Sequence, residues 1–241
     1  MKLLIFIPAR QGSKGIKHKN FTKLNGKPLI YYTLRFAEKL TKKYNNFSIF
    51  FSTDSTKYLK YARTRGMKFE YLRPKSLSSD KSDIIDAIFH GIDWLKKRKN
   101  LSFDAVLLLQ PTSPLRNIKD FKRALNGFKK NHNQSLISVT KMQEHPHELI
   151  NAKKNNWNFI VKRKKNILRR QQYKNQRSDY YFIDGSFYLA KTNFLKKYKS
   201  FTNQQKTKLF ILKGKRPPDI DHISDLKITE LFLKNHKMMI N

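Results

Sequence analysis

The chain begins MKLLIFIPARQGSKGIKHKN over residues 1–20, an apolar run followed at once by a basic loop with glycines. The apolar run, Leu3–Ile7, is short and continuous, which predicts a strand that is buried on both faces of a sheet. The loop after it combines two glycines with four cations, Arg10, Lys14, Lys17 and Lys19. So much positive charge and so little bulk at the end of a buried strand indicates a binding site for an anion.

Short apolar runs alternate with amphipathic stretches along most of the chain. Strands are predicted at Phe47–Phe51, Lys68–Tyr71, Ala105–Leu109, Leu136–Thr140 and Tyr180–Ala190. Helices are predicted from Pro28 to about Leu40, after Ser55 to about Arg65, from Asp80 or Ser82 to about Lys97, and from Ser224 onwards. This alternation is typical of an α/β fold with a mostly parallel sheet and helices on both faces, which binds ligands at the carboxyl ends of its strands.

The composition limits the chemistry. The chain has 241 residues, enough for one sizeable core, and we expect a single domain over 1–241. Within it, residues 142–178 are polar and basic, which indicates either a disordered insert or an arm ordered by a partner subunit. The sequence has no cysteine, so disulfides, thiolate metal sites and cysteine nucleophiles are excluded. No apolar run is long enough for a membrane-spanning helix, so a cytoplasmic protein is expected.

The chain is strongly basic. It carries 52 Lys and Arg residues against 17 Asp and Glu residues, a net charge of +35. Such a balance raises the question of nucleic acid. The cations are spread along the whole chain, however, with denser patches at Lys96–Lys99, Lys162–Lys165 and Lys213–Arg216. We therefore interpret most of the charge as a solvated surface and do not expect a nucleic-acid partner, although the field would steer nucleotides towards the protein.

The loop ARQGSKG, residues 9–15, has the composition of a phosphate cradle. Gly12 and Gly15 allow tight turns and a close approach of backbone N–H groups to an anion, and Ser13 adds a hydroxyl donor. The loop matches neither the GxxxxGK[ST] nor the GxGxxG pattern of nucleotide-binding motifs. Taken alone, the stretch could also be a basic surface loop.

Six motifs occur in an order and spacing that together point to one family: IPARQGSKGIKHKN, LNGKPLIYYTL, STDS, LRP, LLLQPTSPLR and DIDHISDL. From about Leu3 to about Leu233, the chain resembles the nonulosonate cytidylyltransferases, the family of CMP-sialic acid synthetases. The resemblance implies a Rossmann-like, three-layer α/β/α nucleotidyltransferase fold and a homodimer in which 142–178 forms a small dimerisation arm. It also implies a reaction in which CTP and a nonulosonic acid sugar give the CMP-sugar and pyrophosphate, with Mg²⁺.

The resemblance assigns the residues that match the family's nucleotide site. Five polar residues of the opening loop would hold the triphosphate: Arg10, Ser13, Lys14, Lys19 and Asn20. Lys19 would lie nearest to the α-phosphate. Arg73 would lie near the cytosine and ribose, and Asp80 and Ser82 would contact the base. The family usually reads SDTASS where this chain reads SSDKSD, and this departure affects the contacts of Asp80 and Ser82 most.

A second group of residues matches the part of the family site that meets the sugar acid. Four of them follow the strand Ala105–Leu109: Gln110, Thr112, Ser113 and Arg116. Arg170 and Gln172 match the basic end of the family's arm, and are solvated arm residues in the alternative interpretation. Asp184 stands in DGSFYL where the family often has NGAIYI, so an acid replaces an amide and could change the sugar preference. Plain turn chemistry is the alternative for Thr112 and Ser113.

Asp219 and Asp221, in DIDHISDL, carry the metal prediction. By the match to the family they would bind Mg²⁺, which prefers oxygen ligands and keeps waters and phosphate oxygens. Asp221 is also a candidate catalytic residue with Lys19 and Arg10, because either Asp221 or a metal-bound hydroxide would take the proton of the sugar hydroxyl. In the plainer interpretation, Asp221 only precedes a helix and interacts with its dipole.

Two alternatives to the proposed reaction stay open, besides a degenerate, non-catalytic homologue, which the intact set of site residues disfavours. The sugar acid could be legionaminate, pseudaminate or 3-deoxy-manno-octulosonate rather than a sialic acid, because pocket shape decides that choice. In a different class, the chain could be a basic nucleic-acid-binding protein on a nucleotidyltransferase fold. The intact set of Arg10, Lys19, Asp219 and Asp221 argues against the second alternative, since a binding module has no need of paired carboxylates beside a phosphate loop.

Overall fold

A computed structural model describes residues 1–12, 15–130, 133–142, 144–153, 156–161, 180–214 and 216–235. The strands in these ranges are β1 (Leu3–Pro8), β2 (Lys23–Leu24), β3 (Lys27–Pro28), β4 (Phe47–Ser52), β5 (Ala105–Leu108), β6 (Ser135–Lys141), β7 (Ile150–Lys153), β8 (Asn156–Phe159), β9 (Tyr181–Lys191) and β10 (Thr207–Ile211). The helices are α1 (Leu29–Lys43), α2 (Thr56–Arg63), α3 (Ile84–Lys99), α4 (Ile118–Lys129), α5 (Thr192–Tyr198) and α6 (Ile223–Asn235).

Six strands form the central sheet, in the order β10, β6, β9, β5, β1, β4. β1 runs parallel to β4 and β5, and β6 runs parallel to β10. β9 lies antiparallel between β5 and β6, so one strand interrupts the parallel arrangement. The predicted α/β fold with a mostly parallel sheet is therefore confirmed. The remaining strands form two small hairpins, β2 with β3 and β7 with β8.

The apolar run at the chain start explains how the layers form. Leu3, Ile5 and Ile7 pack on one face of the sheet with α1 and α4, whereas Leu4 and Phe6 pack on the other face with α3 and α5. Because side chains alternate between the faces of a strand, one continuous apolar run supplies both cores. The result is the three-layer α/β/α arrangement. In the part of the chain that the structure describes, no helix is both long and apolar enough to cross a bilayer.

The predicted strand Lys68–Tyr71 is wrong. This segment has no regular pairing with the sheet, and its side chains bury on two sides of β4. Phe69 packs against Phe51 in one core, and Tyr71 packs against Phe50 in the other. Apolar residues alternate with polar ones both in a strand and in an irregular segment that crosses the edge of a sheet. The sequence pattern therefore could not distinguish these two structures.

Neither predicted cap begins α3. The side chain of Asp83 caps it by accepting a hydrogen bond from the Ile85 N–H over 2.8 Å. The predicted caps are engaged elsewhere, Asp80 with Arg10 and Ser82 within its own loop. Every Ser and Asp in the run SSDKSD is a suitable N-cap residue, so the sequence does not show which of them caps the helix. The predicted N-caps therefore lie one and three residues before the observed one.

The C-terminal helix and five strands also differ from the prediction. Ser224 lies inside α6 rather than at its N-cap, because the helix begins at Ile223. Asp225 accepts hydrogen bonds from the backbone N–H groups of Asp221 and His222, which holds the chain just before the helix. The strands β2 and β3 were not predicted, since each has only two residues. The strands β7, β8 and β10 were not predicted, since their residues are mostly exposed and show no apolar periodicity.

Candidate active site

The carboxyl ends of β1 and β5 open onto a cavity of about 480 Å³. Pro8, the last residue of β1, and Pro111, in the loop after β5, form part of its wall. Ten of the predicted site residues line this cavity: Arg10, Lys19, Asn20, Arg73, Asp80, Ser82, Gln110, Thr112, Asp219 and Asp221. Residues that lie far apart in the sequence therefore meet at the sheet edge where an α/β fold places its ligands.

Three hydrogen bonds and ion pairs hold the opening loop in place. The Arg10 guanidinium lies 2.6 Å from a carboxylate oxygen of Asp80, and the two side chains are 34% and 41% exposed. The Asn20 amide donates to the Arg10 carbonyl over 3.0 Å, and the Gln11 N–H donates to Asp54 over 2.8 Å. Arg10, a predicted phosphate ligand, is thus paired with Asp80, a predicted base contact, across the cavity.

Lys19 and Asp221 form the second ion pair of the cavity. The Lys19 Nζ lies 2.6 Å from the Asp221 Oδ1, and the lysine side chain is 12% exposed whereas the aspartate is 64% exposed. Gly15 makes this approach feasible, because a Cβ at that position would lie 2.4 Å from the Asp221 carbonyl oxygen. The glycine that the sequence assigns to close phosphate contact therefore also brings the opening loop against the predicted metal segment.

Arg73 is buried at the carboxyl end of β4. Its Nε donates to the Ser52 hydroxyl over 2.9 Å and its Nη2 donates to the Ser52 carbonyl over 2.6 Å. Its own backbone N–H donates to the Thr53 carbonyl. Burial lowers the pKa of the guanidinium, because removal from water disfavours the charged form. These bonds fix a cation in the cavity wall.

The loop between Ser76 and Asp83 forms another part of the cavity wall. The Ser82 hydroxyl donates to the Ser76 carbonyl over 2.9 Å and accepts from the Ser79 N–H over 3.1 Å. Ser82 therefore stabilises its own loop and presents that loop to the cavity. Four wall residues here were not predicted: Leu77, Ser79, Asp83 and Ile84. Ser79 and Asp83 belong to the short polar run SSDKSD, and Leu77 and Ile84 flank it.

The loop after β5 holds the predicted metal segment. The Ile220 N–H donates to the Thr112 carbonyl over 3.0 Å, and the Ser113 hydroxyl donates to the Asp219 carboxylate over 2.7 Å. Ile220 itself is completely buried. Through these contacts, Asp219 and Asp221 are carried to the same cavity as Gln110 and Thr112.

Arg116 lies beneath this loop and does not line the cavity. It is buried and donates to the Ser186 carbonyl over 2.7 Å, the Thr33 hydroxyl over 3.1 Å and the Gln110 carbonyl over 2.6 Å. Burial lowers the pKa of Arg116 to about 10, while the carboxylates of Asp184 and Asp219 oppose that shift. The guanidinium thus ties together α1, β9 and the loop after β5.

Asp184 also lies behind the wall. Its carboxylate accepts hydrogen bonds from the hydroxyls of Ser138 and Ser186, and from the Ser186 N–H over 3.1 Å. These bonds sit at an irregularity in the pairing of β6 with β9, where the register shifts between Ile137 and Val139. The acid that replaces the family's amide is therefore bound within the sheet.

The two carboxylates of the metal prediction suit Mg²⁺. Among the described residues, no group of three or more acidic or imidazole side chains forms a metal cage. Mg²⁺ does not require one, since it is usually bound by one or two carboxylates together with substrate phosphates and waters. Asp219 and Asp221 reach the cavity beside Lys19 and fit such a donor set.

Some site residues were missed and others cannot be placed. Asp54, which holds Gln11, and Ser52, which holds Arg73, both belong to the STDS motif. The place of this motif at the end of the buried strand β4 was the available signal. Four predicted residues lie outside the described residues: Ser13, Lys14, Arg170 and Gln172.

Comparison with known proteins gives one family. The family model described as cytidylyltransferase matches residues 4–238. The CMP-N,N'-diacetyllegionaminic acid synthase of Legionella pneumophila is 30% identical over 241 residues, which cover 97% of each chain. The pseudaminic acid cytidylyltransferase of Campylobacter jejuni is 29% identical over 245 residues, which cover 98% of this chain and 99% of that protein.

A solved structure shares the fold. The chain superposes on a CMP:2-keto-3-deoxy-manno-octonic acid synthetase complexed with CTP, with a TM-score of 0.67 and 16% identity. The match covers 98% of this chain and 100% of that one. At this identity the likeness establishes the nucleotidyltransferase fold alone.

Proposed function

This chain belongs to the cytidylyltransferase family, and we propose that it transfers CMP from CTP to the anomeric hydroxyl of a nonulosonic acid, with release of pyrophosphate. The product would supply the synthesis of surface glycans. Two relatives that align over nearly the whole chain are named for legionaminic and pseudaminic acid. We therefore propose the class of sialic-acid-like acids as the substrate, with 3-deoxy-manno-octulosonate as the alternative outside that class.

The charge pattern around one cavity carries the proposal. Arg10, Lys19 and Arg73 bring three cations to its wall, and Asp219 and Asp221 bring two carboxylates to the same space. A nucleoside triphosphate needs cations along its phosphates, and the divalent ion that accompanies it needs carboxylate oxygens. A cavity of about 480 Å³ is large enough for a small-molecule ligand.

In the proposed reaction, the oxygen of the anomeric hydroxyl attacks the α-phosphorus of CTP. The new O–P bond forms while the bond from this phosphorus to the oxygen of the β-phosphate breaks, and pyrophosphate leaves. Such a transfer needs positioning and charge neutralisation rather than covalent chemistry by the protein. Lys19 would exchange Asp221 for the α-phosphate, and Arg10 would exchange Asp80 for the outer phosphates.

Asp219 and Asp221 would hold Mg²⁺, which supplies positive charge next to the phosphates. Lys19 contacts one oxygen of Asp221, Oδ1, and would vacate it on turning to the phosphate. We assign the proton of the attacking hydroxyl to this oxygen, while the other carboxylate oxygen would hold the metal. Gln110 and Thr112, which also line the cavity, would contact the sugar acid. Arg170 and Gln172 stay candidates for the same role.

We also propose that the protein is a homodimer and acts in the cytoplasm, where CTP is available. The hairpin of β7 and β8 belongs to the predicted arm, and two apolar side chains at it are strongly exposed, Trp157 and Ile160 at 60% each. Large exposed apolar side chains are costly in water unless another surface covers them. This supports the arm as the contact with a second subunit.

The experiment that tests the function supplies purified protein with CTP, Mg²⁺ and one acid at a time: sialic, legionaminic, pseudaminic and 3-deoxy-manno-octulosonic acid. Pyrophosphate is measured with a coupled assay, and the sugar nucleotide by mass spectrometry. We expect equal amounts of both with at least one sialic-acid-like acid, loss of both in EDTA, and recovery on adding Mg²⁺. Protein that binds CTP but releases no pyrophosphate with any of the acids would contradict the proposal.

A further inference from the structure

Ser113 is predicted from the sequence to contact the sugar, but its hydroxyl donates a hydrogen bond to the Asp219 carboxylate instead. The Ser113 Oγ lies 2.7 Å from the Asp219 Oδ1, in good hydrogen-bonding geometry, and 3.4 Å from the Asp184 carbonyl oxygen. The residue is buried and is absent from the cavity wall that Thr112 and Asp219 help to form. The Ser113 hydroxyl therefore contacts the Asp219 carboxylate from outside the cavity wall to which Asp219 belongs.

A turn in β9 closes the space around this hydrogen bond. Gly185 has a φ of +76°, and a Cβ built there would lie 2.5 Å from the Ser113 Oγ and 3.5 Å from the Asp219 Oδ1. The absence of a side chain at Gly185 leaves room for the hydroxyl and for the carboxylate, and little more. Ser113 and Asp219 are thus held between the loop after β5 and the turn in β9.

Arg116 anchors both sides of this arrangement. It donates to the Gln110 carbonyl, three residues before Ser113, and to the Ser186 carbonyl, directly after Gly185. Its buried positive charge also lies close enough to Asp184 and Asp219 to interact with both carboxylates. The loop and the turn are consequently fixed with respect to each other by a group that does not itself reach the cavity.

Asp184 completes the support. Its carboxylate is hydrogen-bonded to the Ser138 and Ser186 hydroxyls, which fixes the backbone on the other side of Gly185. An amide at this position would have one acceptor oxygen for the same donors, whereas a carboxylate has two. The departure DGS from the family's NGA pattern brings in the acid together with Ser186, one of its donors.

We propose that Ser113 is a positioning residue that orients the Asp219 carboxylate towards the divalent metal of the CTP complex, and that it does not contact the sugar. The inference rests on the proposed function only where it takes Asp219 to be a metal ligand. Hydrogen bonds from groups behind a ligand fix its orientation, and their loss typically costs about 10- to 100-fold in metal affinity. The same loss should leave recognition of the sugar unchanged.

The test compares metal binding in the wild type, Ser113→Ala and Ser113→Cys. Mn²⁺ is titrated into protein saturated with CTP, without sugar, and free Mn²⁺ is read from its EPR signal against a blank of CTP alone. We expect about 10- to 100-fold weaker Mn²⁺ binding in Ser113→Ala, and a smaller loss in Ser113→Cys, whose thiol is similar in size but a weak donor. CTP binding in EDTA should be the same in all three.

Ser135→Ala is the matched control. Ser135 is also buried and donates its hydroxyl to a backbone carbonyl, that of Phe201, on the part of β6 away from the cavity. Its loss should leave Mn²⁺ binding unchanged and lower the thermal unfolding temperature about as much as Ser113→Ala does. Equal changes in Mn²⁺ binding in the two variants would mean a general structural effect and overturn the proposal.

Two other outcomes would also overturn it. Mn²⁺ binding in Ser113→Ala equal to that of the wild type would remove the positioning role, and so would a wild type that binds no more Mn²⁺ than the blank. A higher KM for the sugar acid with unchanged Mn²⁺ binding would return Ser113 to the sugar site. If the wild type binds Mn²⁺ as expected but releases no pyrophosphate, the proposed reaction is contradicted, whereas the positioning role of Ser113 is not.

Discussion

Lys19 and Arg10 each meet a carboxylate across the cavity, Asp221 and Asp80 respectively. Each pair is partly exposed, so water screens it and its net contribution to stability is small. The main effect of each ion pair is to position its two side chains, because it holds a cation and a carboxylate of the site at the cavity before any nucleotide binds. The several negative charges of a triphosphate can then compete with a single carboxylate for each cation.

Replacing Lys19 with alanine should slow the reaction strongly. We predict a fall in kcat of about 10²- to 10³-fold, the usual cost of removing one group that stabilises charge in a transition state. Lys17→Ala is the control, since Lys17 is an exposed cation two residues away and its loss changes the net charge equally. Initial rates of pyrophosphate release at saturating CTP measure the effect, and equal rates in the two variants would argue against a role for Lys19 at the α-phosphate.

Gly185→Ala should destabilise the protein more than an alanine at a glycine with the same backbone conformation. Gly66 has a φ of +77°, and a Cβ added there would meet nothing within 4 Å, so Gly66→Ala isolates the conformational cost of about 1–2 kcal/mol. At Gly185 the added Cβ also collides with Ser113. Urea unfolding gives the two free energies, and a loss at Gly185 no larger than at Gly66 would contradict the close packing described for this turn.

At the level of single residues, the sequence predicts which loops form the site better than it predicts where each side chain points. Arg10, Lys19, Asp219 and Asp221 reach one cavity as expected. Ser113 and Arg116 come from an equally distinctive motif, yet they bond to Asp219, 106 residues away, and to Ser186, 70 residues away. Contacts over such separations depend on the packing of β9, which a local motif does not contain.

Among the elements, β9 could be predicted as a strand, but its direction in the sheet could not. Its apolar character marks it as a strand, but nothing in that pattern tells a parallel strand from an antiparallel one. It enters antiparallel between β5 and β6, and its turn at Gly185 closes the back of the site. By contrast, β1, β4 and β5 follow from their continuous apolar runs, because both of their faces are covered.

The contact between α1 and β2 predicts a pH dependence of stability. The Tyr32 hydroxyl donates to the Leu24 carbonyl over 2.6 Å, and burial raises the pKa of Tyr32 to about 12, above its value of about 10 in the unfolded chain. The raised folded pKa means that this contribution is present below pH 10 and is lost as the pH rises from 10 towards 12. The free energy of unfolding should therefore fall over that interval.

Tyr32→Phe should lose about 1 kcal/mol of stability at neutral pH, with the hydrogen bond, and should show a shallower fall at alkaline pH. Tyr31→Phe, on the same helix and also next to the cluster of β2 and α6, should keep most of the wild-type slope, because burial is a larger cause of the raised pKa of Tyr32 than the charge of Tyr31. Urea unfolding at several pH values from 7 to 11 provides the measurement. Identical slopes in Tyr32→Phe and the wild type would remove Tyr32 as the source of the effect.

For the whole molecule, the net charge of +35 acts on everything that approaches it. It attracts CTP and anionic sugar acids, and it repels a second copy of the same chain. The fold class and the family can be predicted from motifs spread along the chain. The function of so basic a surface cannot be predicted, because the lysines are scattered and form no motif.

The proposed dimer should consequently tighten as salt screens this repulsion. We predict a lower dissociation constant in about 0.5 M than in about 0.05 M NaCl, since screening shortens the reach of charges between the subunits. Trp157→Ser should weaken association at both concentrations, because Trp157 is the largest exposed apolar side chain of the β7–β8 hairpin. Sedimentation equilibrium measures both effects, and a dimer that loosens with salt would point to an interface held by ion pairs instead.

The fate of the α-phosphate of CTP decides whether the protein transfers CMP to a sugar. CTP labelled with ³²P in either the α- or the γ-position is incubated with the protein, Mg²⁺ and the accepted acid, and the products are separated. We predict that α-label appears in the sugar nucleotide and γ-label in pyrophosphate, both in the wild type and in Lys17→Ala. Label from the α-position that ends in free CMP, or stays in CTP with every acid, would contradict transfer to the sugar.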